Sequence, residues 1–196
     1  MLRFNMMHKL KRRRQGFRSD ADGSTAVEFA IVAPLFLTIM FSIFEVGWFY
    51  FANSVVDASV GDMARLVKTG QVQGWDGTDE EKYDDLYDRV CKIVKSFGGC
   101  ENRLTLEVDT FDTFSDLAAN NTPPTCADAP PEDLAALPFD PGEELQIIRV
   151  RVCYIYTTLN PAIGVNLAEP GTNQRRIIST MIFRNEPYEL NNREED

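Results

Sequence analysis

In the stretch 22-DGSTAVEFAIVAPLFLTIMF-41 one carboxylate, Glu28, sits near the head of an apolar run that extends from Ala26 to Phe51 and whose only other charged member is Glu45. A carboxylate held at the centre of a lipid span costs roughly 2.5 to 3.5 kcal/mol on insertion scales, so it needs a proton, a polar partner or a place near the interface. The run of 26 residues would form a helix about 39 Å long, enough to cross a hydrocarbon core of about 30 Å with tilt or overhang. The chain is therefore predicted to be membrane-inserted, and Glu28 requires a reason for its place. Glu45, roughly 9 Å short of the outer end at Phe51, is placed to snorkel there or to contact another helix. Trp48 and Tyr50 fit an interfacial aromatic belt.

The other residue types that carry chemistry are few. All four cysteines, Cys91, Cys100, Cys126 and Cys153, follow the apolar run. On the exported side of a membrane an even number of cysteines reads as two disulfides. Zinc is the competing reading, but no C-x-x-C pair is present and the single histidine, His8, precedes the span, so no metal site is expected. The acids Asp79, Glu80, Glu81, Asp84, Asp85 and Asp88 lack the spacing of a calcium loop and read as a solvated helix face. No histidine after the span can serve a Ser or Cys nucleophile, and the acids show no convergent spacing. No catalytic residue and no cofactor are assigned.

Charge orients the span. Residues 1–23 carry seven basic residues against Asp20 and Asp22, a net of +5, whereas from Ser24 onward 13 basic residues face 28 acidic ones, a net of −15. The excess of Lys and Arg before the span keeps that end in the cytoplasm and sends the acidic remainder across the membrane. Beside a span the cluster Lys11 to Arg14 reads as a topology signal and not as a nucleic-acid patch. An ordinary secretory signal has a shorter apolar core and a prompt small-x-small cleavage site; here the run is too long, and Ala52-Asn53-Ser54 is a poor imitation of such a site.

Small and apolar residues at helical spacing continue past the run from Val55 to Val67, so one helix of about 45 residues is expected, with Pro34 tolerated inside the span and Gly70 as its stop. After a polar turn, Tyr83, Leu86, Tyr87, Val90, Val94 and Phe97 mark one face of an amphipathic helix that begins near Thr78 or Asp79 and stops at Gly98-Gly99. Alternation marks strands around residues 104–109 and 148–156, and residues 176–184 are rich in Ile, Thr, Met and Phe. Between the first two strands, residues 115–142 hold six of the ten prolines and read as an irregular surface loop. Of the three pairings open to four cysteines, this layout favours Cys91–Cys100 across the end of the amphipathic helix, which leaves Cys126 to tie the loop to Cys153.

The expected fold is α+β: a long N-terminal transmembrane helix continuing into a small exported domain with one amphipathic helix and an antiparallel sheet of about three strands. The expected organisation is a basic cytoplasmic leader over 1–23, the span over 24–51, the exported domain over 52–187 and a polar tail over 188–196.

The order of basic residues, Gly23, Ser24 to Phe29 and an apolar span resembles the cleavage signal of type IV pilin-like proteins. More closely, GSTAVEFAIVAPLFLTIMFSIFEVGWFYF with Asn53, Val56, Ala58 and 64-ARLVKTGQ-71 resembles the TadE-like minor pilins or pseudopilins of the tight-adherence (Flp) pilus system. The resemblance is dense over residues 23–71, and beyond them it rests on layout and the closing FRNEP. It implies that a membrane prepilin peptidase cuts after Gly23, leaving Ser24 as the new N-terminus and Glu28 as the fifth residue, followed by Phe29. It further implies that Glu28 pairs with the N-terminal ammonium of a neighbouring subunit. The partners implied are the bacterial inner membrane, the peptidase, other minor pilins, an Flp-type major pilin and the assembly platform, with no nucleic acid.

The leading expectation is thus a structural subunit that supports pilus assembly and surface adhesion. Its alternative is a signal-anchored extracytoplasmic binding or sensor module that is not processed at Gly23. For Glu28 the alternative is a carboxylate that protonates or snorkels at the interface.

Overall fold

A computed structural model of the protein describes residues 23–159 and 164–188. Of the leader expected over 1–23 and the tail expected over 188–196, all but Gly23 and Tyr188 lie outside them. The fold is α+β, and the chain divides into two compact units, residues 1–44 and residues 45–196.

Helix α1, Ser24–Lys68, runs through 45 residues, with Pro34 inside it. Over Ser24–Phe44 its large apolar side chains are exposed, among them Phe29, Ile31, Leu35, Phe36, Ile43 and Phe44. α1 is long and apolar enough to cross a membrane. The helix ends in paired reversed hydrogen bonds: Gly70 N–H donates to Val67 O at 3.0 Å and Gln71 N–H to Leu66 O at 3.0 Å. This closure needs a left-handed residue, which Gly70 supplies with φ of 74°. A Cβ at Gly70 would also stand 2.5 Å from the Tyr188 ring.

In the second unit α1 turns one stripe inward: Glu45, Ala52, Val56, Val60, Met63 and Val67 are buried at helical spacing. They pack with Leu86, Val90 and Val94 of α2, Asp79–Val94. Thr78 caps α2 through a capping box with Glu81, and the first turn carries Asp79, Glu80 and Glu81, which complement the helix dipole. The helix stops at Val94, short of the expected Gly98-Gly99, because a tighter turn follows in which Phe97 N–H donates to Val94 O.

Both helices cover one face of an antiparallel sheet in the order β1-β2-β3, formed by β1 Leu104–Phe111, β2 Ile147–Thr157 and β3 Gln174–Arg184. The register aligns Leu106 with Val152 and Ser179 on the helix side, and Glu107 with Arg151 and Thr180 on the other. Leu104, Leu106, Val108, Ile148, Val150, Val152, Tyr154, Tyr156 and Ile177 complete the core.

The segment between β1 and β2 is more ordered than the irregular loop expected there. It holds two short helices, α3 Phe114–Ala119 and α4 Pro131–Ala135. It also lies over the second face of β1 and β2. Arg149 bonds Asp109 through Nε and Nη2 at 3.1 and 2.9 Å and reaches Asn120 O at 3.1 Å. Arg151 Nη2 stands 2.7 Å from Glu107 Oε2 while its Nη1 donates to Thr122 O at 2.6 Å. Thr125 N–H donates to Glu107 Oε1 at 2.8 Å. Two disulfides brace the domain: Cys91–Cys100 closes the end of α2, and Cys126–Cys153 joins this covering segment to β2.

Candidate functional site

The residues singled out in the sequence fall at two levels of α1. At its head, Ser24 is the first helical residue and Glu28 stands one turn further on, so the Ser24 hydroxyl donates to Glu28 Oε1 at 3.1 Å. The ion pairs among the described residues do not involve Glu28. Phe29 is 73 % exposed. Gly23 has no described heavy atom within 4 Å of where a Cβ would stand, and its φ is not in the left-handed range. The fold of the described residues therefore places no demand for glycine at position 23.

The head of α1 thus holds a glycine that the fold of the described residues does not explain, a carboxylate without an ion pair among the described residues, and an exposed aromatic at the start of the apolar run. Residues 23–65 match the family model of the TadE-like proteins. The TadE-like segment takes in Gly23, Ser24, Glu28, Phe29 and Glu45, and it ends within the last turn of α1. It spans under a quarter of the chain, and the family is a pilus-associated one of the Tad system. No curated protein and no solved structure matches the chain.

Glu45, the other acid of the TadE-like segment, has hydrogen-bond partners far from it in the sequence. It is 2 % exposed and belongs to the second compact unit. Leu159 N–H donates to its carboxylate at 3.1 and 3.2 Å, and the Tyr156 hydroxyl lies 3.4 Å from Oε1. The carboxylate thus reaches the exit of β2, where it accepts from backbone and side chain within its own chain. Burial above all, and then the charge of Glu45, pushes the Tyr156 phenol above its ordinary value, so this hydroxyl remains a donor. The ring of Phe49 meets Tyr156 edge-on at 5.6 Å and carries the Arg175 guanidinium 5.2 Å from its centre.

The remaining chemistry-bearing residues do not converge. The six acids of residues 79–88 are exposed along α2, and the described residues hold no group of three or more metal-ligating side chains. His8 lies outside the described residues. Sequence reasoning missed Tyr156 and Leu159 as the partners of Glu45, since they are more than a hundred residues away along the chain. It also missed the ion ladder of Glu107, Asp109, Arg149 and Arg151. Its signal was present: acids alternate along one strand and arginines along another, as a cross-strand charge match requires.

Proposed function

We propose that this protein is a membrane-anchored structural subunit of a Tad pilus, a TadE-like minor pilin or pseudopilin that supports assembly and surface adhesion. The observation that carries the reading is the TadE-like match over α1, which begins at a Gly23 that the fold of the described residues does not require. In this reading residues 1–23 are a cytoplasmic leader, α1 is a single-pass anchor, and the acidic domain faces the periplasm. A prepilin peptidase removes the leader after Gly23. The cut replaces a +5 segment with one ammonium on Ser24, beside lipid and close to the level of Glu28. A neighbour's Glu28 is then the carboxylate that the ammonium meets when subunits pack, which gives both charges a partner in a medium where neither is tolerated alone. Other minor pilins, an Flp-type major pilin and the assembly platform are the neighbours, and the protein acts by contact and catalyses no reaction.

A photo-reactive residue at Phe29 tests the packing. In membranes that hold the whole pilus system it is expected to capture another pilus subunit, because Phe29 is exposed and next to the paired carboxylate. Capture of lipid alone, with the pilus system present and producing fibres, would contradict the structural-subunit reading and favour an anchored monomer.

A further inference from the structure

The bonds at Glu45 hold a second surface in place. β2 ends at Thr157, and the next backbone donor in contact with α1 is Leu159 N–H on the Glu45 carboxylate. The exit of β2 is therefore fixed beside the first turn of α1 in the domain. Leu159 itself is 62 % exposed, and on the turns of α1 that follow Glu45 Tyr50 is 65 % exposed, with Trp48 and Phe51 also exposed. The Trp48 and Phe51 rings lie 5.5 Å apart at a tilt of 39°, and Phe51 meets Phe97 edge-on at 6.4 Å.

The two sequence stretches that carry these residues are poor in charge within an acidic domain. The next charged residue on α1 after Glu45 is Asp57, about 18 Å along the helix, and no charged residue occurs from Thr157 to Ala168. A cation near these stretches is Arg175, whose Nη1 donates to Leu167 O at 3.0 Å and whose guanidinium lies over Phe49. Length argues for the occupant. The apolar residues 26–44 alone give a helix of about 28 Å, close to the roughly 30 Å of a hydrocarbon core, so a span of these residues ends at Glu45 and not at Phe51. The residues of α1 that follow Glu45, Trp48 to Phe51, then fall within about 9 Å of the end of that span along the helix, at the headgroup layer.

We propose that Trp48, Tyr50, Phe51 and Leu159 form a lipid-contacting surface of the domain, seated in the interfacial layer, with Glu45 as the latch that holds Leu159 at that depth. Aromatic rings are suited to this layer, and the nearby Arg175 is suited to lipid phosphate. The proposal rests on the reading of α1 as a membrane anchor. The partner is the bilayer itself, and the role is to fix the height and tilt of the domain above it.

The test is nitroxide labelling of the full chain in vesicles of phosphatidylethanolamine and phosphatidylglycerol, at Leu37→Cys in the span, Leu159→Cys on the surface and Glu132→Cys on the exposed start of α4. Collision with oxygen reports lipid, and collision with a water-soluble nickel chelate reports solvent. The oxygen-to-nickel ratio is expected to be highest at position 37, lowest at 132, and at 159 closer to 37 than to 132. Glu45→Ala, or Tyr156→Phe if the first variant misfolds, should lower the ratio at 159 and leave that at 37 unchanged. A lipid-like ratio at 37 with a solvent-like ratio at 159 would overturn the inference and leave the anchor standing. Loss of collision with both reagents at 159 would show a protein cover, a second copy or another subunit, and overturn it as well. A solvent-like ratio at 37 would remove the anchor reading, and the inference with it.

Discussion

Glu28→Ala is expected to leave membrane insertion and removal of the leader largely intact and to abolish assembly with other pilus subunits. The substitution removes a carboxylate from the apolar run while Gly23 and the rest of the span are unchanged, so insertion is unharmed or slightly easier. Among the described residues the hydrogen-bond donor to Glu28 is the Ser24 hydroxyl, an exposed contact one turn away and no strong support for the helix. What is lost is the partner for a neighbour's Ser24 ammonium. Glu28→Gln keeps the shape and loses the charge, and it should be nearly as defective. Crosslinking and co-purification from membranes read the result. Assembly at wild-type level by both variants would leave only the interfacial reading of this residue.

Glu107→Ala should produce a large loss of domain stability. Glu107 and Arg151 face each other across β1 and β2, their side chains 3 % and 8 % exposed and 2.7 Å apart. Breaking such a buried pair from one side leaves an uncompensated charge and costs about 3 to 5 kcal/mol. Asp109, 3.5 Å from Arg151, offsets part of this, so about 3 kcal/mol is expected, or roughly 6 to 12 °C in the thermal midpoint. The loss includes the grip on the covering segment, since Glu107 Oε1 also accepts from Thr125 N–H. Replacing both residues by methionine removes the stranded charge, so the double variant should lose less than Glu107→Ala. Thermal unfolding of the full chain in detergent, followed by circular dichroism, distinguishes the two. Equal losses would mean that packing of the covering segment, and not the charge pair, sets the stability of this face.

The regular elements were legible because each carries a sustained period. Val56, Val60, Met63 and Val67 repeat at helical spacing until Gly70 stops them, Leu86, Val90 and Val94 do the same in α2, and Leu104, Leu106 and Val108 alternate in β1. α3 and α4 have six and five residues, too few to establish a period, and their local marks were weak. Thr113 caps α3 by accepting from Asp116 N–H, a four-residue signature easily lost in a proline-rich stretch. β2 shows why alternation alone misjudges a face: Arg149 and Arg151 occupy positions that read as solvent-facing, yet both are buried under residues 120–125 by ion pairs and carbonyl contacts. Glu45 was harder still. Every near neighbour in the sequence is apolar, so it read as a membrane residue. Its partners come from the far end of β2, and no local pattern announces a contact across that much chain.

The central claim is that this chain is processed and used as a pilin-like subunit, and the N-terminus of the native protein tests it most directly. N-terminal sequencing together with intact mass, on protein taken from the membranes of cells that express the pilus system, should show a chain beginning Ser24-Thr25-Ala26 and lacking 23 residues, with two disulfides and no free thiol. Gly23→Ala should slow that cut and leave a longer form in the membrane. A native protein that retains the leader in membranes where the peptidase processes its other substrates would contradict the account, and would make this chain a signal-anchored module.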